Sequence, residues 1–393
     1  MQSKRSDVLH YLASIVERER RSIKEANHKD MVAIQSNDKA LVDRLKVDDH
    51  KVDEMKNALI NTAHQDDPDG KLLFEYTNPE GLLFKNVTVP FGTILIIYES
   101  RPDVTIEAAA MAFKSGNKIL LKGGKEARMT NLILVNLWQE ALLQFGFDPT
   151  LIRYLDYSRS EIQQFISSKS EKIDLVIPRG GDALIQFVIQ HSVAPVIVSG
   201  RGNNFVYVHD SADTDMAIQL ICNGKNRISV CNATDKVLID KRLPALNDFI
   251  HILVGKLALM GISVYGDHSL KGISDQITID TNEAVMYEEF LSHKLMLCIV
   301  EDVHEAIRRI NKYSGGHSAS IVTKDHDIAE NFLNETDCAA VYHNASTRFT
   351  DGGQVGFGGE MAISTQKLHF RGPVGMAQLV TNKWKVYGHG HIR

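Results

Sequence analysis

From residue 93 onward the chain alternates short, continuous apolar runs with stretches of helical spacing, and this rhythm limits the available folds more than any other feature. The run TILIIY at 93–98 shows no polar alternation, which marks a strand buried on both faces. A helix over 104–115 follows and stops at Gly116-Asn117, a favourable C-terminal cap. KILLK at 118–122 reads as the next strand, then come a helix over 125–144, the run LIRYLDY, a helix from Ser160, the run KIDLVIP, a helix from Asp182 and the run APVIVSG. Strands alternating with helices imply βαβ units, a parallel sheet and right-handed crossovers that put helices on both faces. After Gly200 the pattern restarts with NFVYVHD, a helix over 212–222, KVLID, a long helix over 245–260 and the runs LMLCIV, ASIVT and AAVYH. Two α/β units are therefore expected, with a boundary in 211–231.

Ahead of this body, apolar spacing at three and four makes the first ~60 residues helical. Two apolar runs flank Asn78-Pro79-Glu80-Gly81, which predicts a hairpin over 71–90, and the alternating tail 379–393 predicts a final strand. At 393 residues, with 44% hydrophobic and 24% charged residues, the chain is long enough for two or three globular domains. A net charge of −5 speaks against binding duplex nucleic acid. Apolar runs stay far below the ~20 residues of a membrane span, and charges interrupt the N-terminal segment too often for a signal peptide. The four cysteines (Cys222, Cys231, Cys298, Cys338) lack CxxC and Cys/His metal spacing, so a reducing, cytoplasmic setting and no metal are expected.

Cys231 lies in KNRISVCNA (225–233) between a helix and a strand, beside Lys225 and Arg227. Neighbouring cations raise the thiolate fraction of a thiol, which fits a nucleophile; a small buried hydrophobe is the alternative. The connection YESRPDV (98–104) puts Arg101 at the C-terminal end of a strand, either to grip an anion bidentately or simply to begin a helix. KGGKEA (122–127) and PRGGD (178–182) are further strand–glycine–helix turns. Their open N–H groups suit a phosphate, with Lys122, Gly123, Lys125, Arg128, Gly180 and Gly181 as candidates and Glu126 for a ribose hydroxyl, although glycines also serve turns alone. No GxGxxG fingerprint is present. In the glycine-rich stretch 344–375, Arg348, Lys367 and Arg371 are candidates to meet an acidic substrate, or lie on a solvated loop. His389 and His391 have no further ligand at metal spacing.

Six segments, VPFGTILIIYESRPDVT, KSGNKILLKGGKEA, VIPRGGDALI, SVCNAT, NASTRF and ISTQKLHFRGPVG, resemble the gamma-glutamyl phosphate reductases of the aldehyde dehydrogenase superfamily, in order, from about residue 25 to the end. The resemblance implies a Rossmann-variant NADP-binding domain (1–70 and 91–222), a catalytic domain (223–355), a return segment to the cofactor domain (356–376) and a small β bridging element (71–90 and 377–393) that mediates a homodimer or higher oligomer. It implies Cys231 as nucleophile, with Asn232 beside it. It places Glu289 on the nicotinamide ribose, Lys122 and Glu126 on the adenine ribose, and Arg101 near the superfamily's oxyanion-hole amide, beside the substrate candidates Arg348 and Lys367 already read from 344–375. The activity implied is NADPH-dependent reduction of L-glutamyl 5-phosphate to glutamate 5-semialdehyde through a cysteine thioester, in proline biosynthesis, with glutamate 5-kinase as the separate supplier of substrate. An acyl-CoA reductase and a non-catalytic nucleotide-binding relative are the alternatives.

Two departures stand close to the expected site. Gly202-Asn203-Asn204-Phe205 replaces the GNCH usual among these reductases, and the approach 225–228 is one residue shorter. Aligned through Ser211-Ala212-Asp213, Ser199 takes the position of the glutamate that activates water in hydrolytic aldehyde dehydrogenases. That implies a thioester that exchanges with phosphate or accepts hydride rather than hydrolysing.

Overall fold

The computed structural model describes residues 3–34, 39–168, 170–228 and 230–393; Ser229 of the SVCNAT segment lies outside the described residues. The chain divides into two compact units, one made of Met1–Val198, Gly356–Ala362 and Val374–Arg393, the other of Ser199–Val355 and Ile363–Pro373.

In the first unit the four-stranded parallel sheet runs in the order Ile152–Tyr154, Lys118–Lys122, Thr93–Tyr98, Leu175–Arg179. Thr93–Tyr98 occupies an inner position, and Ile94, Leu95 and Ile96 are fully buried, as the unbroken apolar run requires. The chain leaves this strand towards one side and returns on the other at Leu175–Arg179, so the order reverses there. The C-terminal ends of those two strands flank the crevice where open α/β sheets bind ligands. Helix Lys4–Arg18 turns Val8, Leu9, Leu12, Ile15 and Val16 inward and is capped at its start by Ser3.

The same unit carries a three-stranded antiparallel sheet, Leu72–Thr77, Leu83–Pro90 and Val380–Tyr387. Its hairpin forms where expected: Asn78 Oδ1 accepts the Leu82 N–H at 2.8 Å and Gly81 takes φ 87°, a conformation open to glycine. APVIVSG does not form a strand. Only isolated bridges occur, Val176 with Val196 and Ser199 with Ser364, because Pro195 has no N–H for a ladder and the chain passes to the second unit.

In the second unit a seven-stranded, all-parallel sheet runs Ile277–Ile279, Ser263–Gly266, Lys294–Val300, Thr234–Asp240, Asn204–Val208, Ser318–Val322, Ala340–His343. Val206, Val237 and Ile239 face the helices Thr214–Lys225 and Leu246–Leu259. Phe205, Tyr207 and Leu238 face Val303–Tyr313 and His326–Glu335. All five residues of Asn204–Val208 are buried, so that strand needs a neighbour on each side and finds both in this sheet. The compact division accordingly falls at 198/199, ahead of the 211–231 expected from the sequence pattern and of the 222/223 implied by the resemblance, and 363–373 goes with the second unit. Asn204 stands opposite Thr234 but Phe205 opposite Lys236, so Asp235 is an extra residue in its strand.

Candidate active site

Cys231 sits in a turn closed by the Ala233 N–H donating to the Val230 carbonyl at 3.1 Å, immediately before strand Thr234–Asp240. It is partly exposed, whereas Cys298 and Cys338 are buried; none of the four cysteines is in a disulfide. Burial pushes the Cys338 thiol up to about 11, and raises Cys298 and Cys222 as well. Cys298 and Cys338 are core thiols, as their apolar contexts predict, whereas Cys222 is only partly buried against the core of its unit. The Cys231 turn lies directly on Gly202, where a Cβ would come within 1.8 Å of the Cys231 carbonyl oxygen.

The following residue ties this turn to the glycine-rich stretch. Asn232 Nδ2 donates to the carbonyls of Arg348 (3.1 Å) and Thr350 (3.0 Å), Arg348 Nη1 donates to Asn232 Oδ1, and Thr347 Oγ1 donates to the Asn232 carbonyl at 3.0 Å. Both amide protons of Asn232 are thus committed to backbone. Arg348 stands within electrostatic reach of Cys231: burial lowers its pKa first and neighbouring Arg227 adds to this, while Cys231 and Asp351 support its charge. Lys225, by contrast, is committed elsewhere. Its Nζ donates to Asp235 Oδ1 at 2.5 Å in a fully buried pair.

Glu289 is held from both sides. Lys236 Nζ donates to the carbonyl of Glu288 at 2.8 Å and lies 3.6 Å from the centre of the Phe290 ring, while the Phe290 N–H donates to Asp235 Oδ2 at 2.7 Å. Burial pushes the Lys236 ammonium down to about 8. Lys367 and Arg371 both engage Asp337, at 3.0 and 2.6 Å. His209, Asp210 and Asp240 come together in the same unit, but Asp240 already accepts from Tyr207 and from Arg242 in a two-pronged pair, which leaves it poorly placed for a metal.

In the first unit the strand–glycine turns meet at one edge of the parallel sheet. Ser100 Oγ donates to Glu126 Oε2 at 2.9 Å, and Lys122 Nζ donates to the Gly123 carbonyl at 2.7 Å, its pKa lowered chiefly by burial. Gly123 and Gly124 have no room for a Cβ: atoms of Asn131 and Ser100 would stand 2.3 and 2.7 Å away. Lys125 is exposed, whereas Arg128 is paired with Asp156. At the neighbouring turn, Glu99 Oε1 accepts the Gly181 N–H at the start of helix Asp182–His191 (2.8 Å), and Arg44 Nη1 reaches Glu99 Oε2 at 3.2 Å. An anion therefore already sits where the glycines expose the helix N-terminus. Arg101 is exposed at the N-cap of helix Pro102–Lys114.

Asn204 stood out only as part of a departure from GNCH and Glu99 only as a member of YESRPDV, while the pair Asp235–Lys236 went unmarked by motif. The available signal was a run of charged residues, Asp235-Lys236, opening an otherwise apolar buried strand.

Residues 1–263 and 277–384 match the aldehyde dehydrogenase family. The gamma-glutamyl phosphate reductase of Clostridium perfringens (strain 13 / Type A) is 41% identical over 374 residues, covering 94% of this chain and 89% of that protein. That of Aquifex aeolicus is 39% identical over 401 residues, covering 100% and 92%. The crystal structure of the Thermotoga maritima gamma-glutamyl phosphate reductase superposes with a TM-score of 0.95 at 38% identity, covering 100% of this chain and 95% of that one. The chain belongs to the aldehyde dehydrogenase family and, within it, to the gamma-glutamyl phosphate reductases.

Proposed function

We propose that this chain reduces L-glutamyl 5-phosphate to L-glutamate 5-semialdehyde, releasing phosphate, through a thioester on Cys231. The observation that carries the reading is a partly exposed cysteine on the SVCNAT turn, beside Arg348, in a chain 41% identical to a gamma-glutamyl phosphate reductase. The product cyclises to pyrroline-5-carboxylate on the way to proline, and a separate glutamate 5-kinase supplies the labile acyl phosphate. The setting is cytoplasmic; among the described residues no helix is long and apolar enough to cross a membrane.

The Cys231 thiolate attacks the acyl carbon, the bond to the phosphate oxygen breaks and phosphate departs. Arg348 holds the anionic end of the substrate and favours the thiolate. Asn232, with both amide protons on backbone carbonyls, acts by locking the nucleophile turn to 347–350, and backbone N–H groups of the turn meet the oxyanion. Ser199 carries no carboxylate to activate water, so the thioester persists. Collapse of the thiohemiacetal releases the aldehyde and restores the thiolate. Lys367, engaged by Asp337, and Arg101 complete the candidate substrate contacts.

The residues fit a nicotinamide coenzyme. The half-buried Glu126 carboxylate, beside Lys122, suits a ribose diol, and the Gly180-Gly181 turn suits a phosphate once the Glu99 carboxylate, which takes the Gly181 N–H, swings away. Exposed Lys125 favours the 2′-phosphate of NADP(H). Glu289, fixed from both sides, is the candidate for the nicotinamide ribose. The chemistry such a bound coenzyme supplies is hydride transfer to the thioester carbon. The exposed apolar face of the three-stranded sheet is proposed as the subunit contact of a homodimer.

The deciding assay is NADP⁺ reduction by glutamate semialdehyde with and without inorganic phosphate, on the wild type and Cys231→Ala. Phosphate dependence in the wild type and none detectable in Cys231→Ala is expected. Equal activity in the variant, or a requirement for coenzyme A in place of phosphate, would overturn the reading.

A further inference from the structure

Asn204 opens a strand that lies between the strand following Cys231 and the strand Ser318–Val322. Its side chain is completely buried. Nδ2 faces three carbonyl oxygens, those of Gly202 (2.9 Å), Cys231 (2.7 Å) and Ala233 (2.7 Å). An amide has two protons, so one is shared between two of these acceptors. Oδ1 is engaged from the opposite side by the Ser318 hydroxyl, which donates to it at 2.6 Å.

The protons in this chain have a fixed direction. Ser318 has one hydroxyl proton and spends it on Asn204, so in its 3.0 Å contact with His317 the hydroxyl accepts and Nδ1–H donates. The imidazole is then the Nδ1–H tautomer, and its Nε2, which has no hydrogen-bond partner, is a bare lone pair rather than a stranded N–H. The sequence His317, Ser318, Asn204 ends on the carbonyls that flank the nucleophile. Ser318 prevents the amide from turning over. Were Asn204 inverted, its Oδ1 would face three carbonyl oxygens and its Nδ2 would confront Ser318.

We infer that Asn204 is a positioning residue for catalysis: held by Ser318, it fixes the carbonyls of Cys231 and Ala233 and so the orientation of the nucleophile turn. The inference rests on Cys231 being the nucleophile proposed above. Because a trans peptide points its N–H opposite to its C=O, fixing the Cys231 and Ala233 carbonyls also fixes the N–H directions of Asn232 and Thr234. The cation beside the thiol, Arg348, belongs to a different segment.

The test is steady-state kinetics of Asn204→Asp, close in size but lacking both amide protons, and of Ser318→Ala, which frees the amide to turn. Both are run in the phosphate-dependent assay, together with the rate of Cys231 alkylation by iodoacetamide. Asn204→Asp is expected to lose about 100-fold in kcat, with KM for the semialdehyde changed less than about threefold. Ser318→Ala is expected to lose roughly 5- to 10-fold in kcat. Alkylation of Cys231 should stay within about threefold of wild type in Ser318→Ala, which adds no charge beside the thiol and keeps its cation. Should Asn204→Asp fail to fold, Ser318→Ala decides alone. A kcat within twofold of wild type in the folded variants, or alkylation that falls in step with kcat in Ser318→Ala, would overturn the inference. Cys231→Ala is run in parallel: activity there removes the nucleophile reading itself, whereas an inert Cys231→Ala beside unaffected Asn204 and Ser318 variants removes only the role of Asn204.

Discussion

The backbone of Gly202 lies against that of Cys231, so that a Cβ at 202 would approach the Cys231 carbonyl oxygen to 1.8 Å and its Cα to 2.6 Å. These are backbone atoms and cannot swing aside as the end of a side chain can. Gly202→Ala is expected to shift the nucleophile turn, lowering kcat by about 100-fold or more and costing ~1–3 kcal/mol of stability from overpacking. Steady-state kinetics with urea unfolding would show both; wild-type turnover in Gly202→Ala would refute the close approach.

Lys236 secures the segment that presents Glu289, through the Glu288 carbonyl and the Phe290 ring. In Lys236→Met the carbonyl loses its donor while the apolar volume is largely kept. The Michaelis constant for the coenzyme is expected to rise roughly 5- to 10-fold, while iodoacetamide alkylation of Cys231 is unchanged. A coenzyme constant equal to wild type would separate the Glu289 segment from coenzyme binding.

His317 predicts the acid behaviour of the second unit. Burial holds its imidazole down to about 4, against 6.5 for the ordinary group. Between those values the unfolded chain takes up a proton that the folded chain does not, so stability increases with pH across this window and falls as pH drops from 6.5 towards 4. His317→Gln removes the titrating group, and its unfolding free energy should vary less with pH over that range in denaturant titrations. Parallel pH profiles for the two proteins would show that His317 does not supply the slope.

Phe74, Tyr76 and Trp384 are each about half exposed on the three-stranded sheet, with ring centroids of Phe74 and Trp384 5.9 Å apart. Both outer strands of this sheet are open edges. Light scattering after gel filtration tests the proposed homodimer: the wild type is expected at twice the chain mass and Trp384→Glu at one chain mass, with an unchanged circular dichroism spectrum. An unchanged mass would place the subunit contact elsewhere.

Local pattern carried much of the fold. The unbroken apolar run at 93–98 became a strand over those residues, and Asn78-Pro79-Glu80-Gly81 made the expected hairpin. Both signals are written within a few residues. The division at 198/199 was not legible, because what assigns Asn204–Val208 to its sheet is pairing with Thr234–Asp240 and Ser318–Val322, far along the chain. The same holds for the candidate site. Cys231 stood out in its polar loop and Asn204 as a departure from GNCH, but nothing local gave Asn204 a role, because its partner Ser318 is 114 residues away. Lys225, its neighbour in sequence, looked like an activating cation, yet burial beside Asp235 directs it into the core.

The extra residue at Asp235 sets a limit on how the length of this chain can vary. Side chains in a strand alternate faces, and Val237, Leu238, Ile239 and Lys236 are held in their layers by the sheet and by Phe290, so removing or adding one residue between Cys231 and Lys236 would displace the Cys231 turn against the fixed strand. No such parity applies on the other side of Cys231, where residues 226–228 lie between helix Thr214–Lys225 and the turn without pairing in the sheet. Insertions and deletions should therefore be absorbed before the cysteine and rejected after it, so that the interval from Cys231 to Lys236 behaves as a fixed ruler while the approach to it remains adjustable.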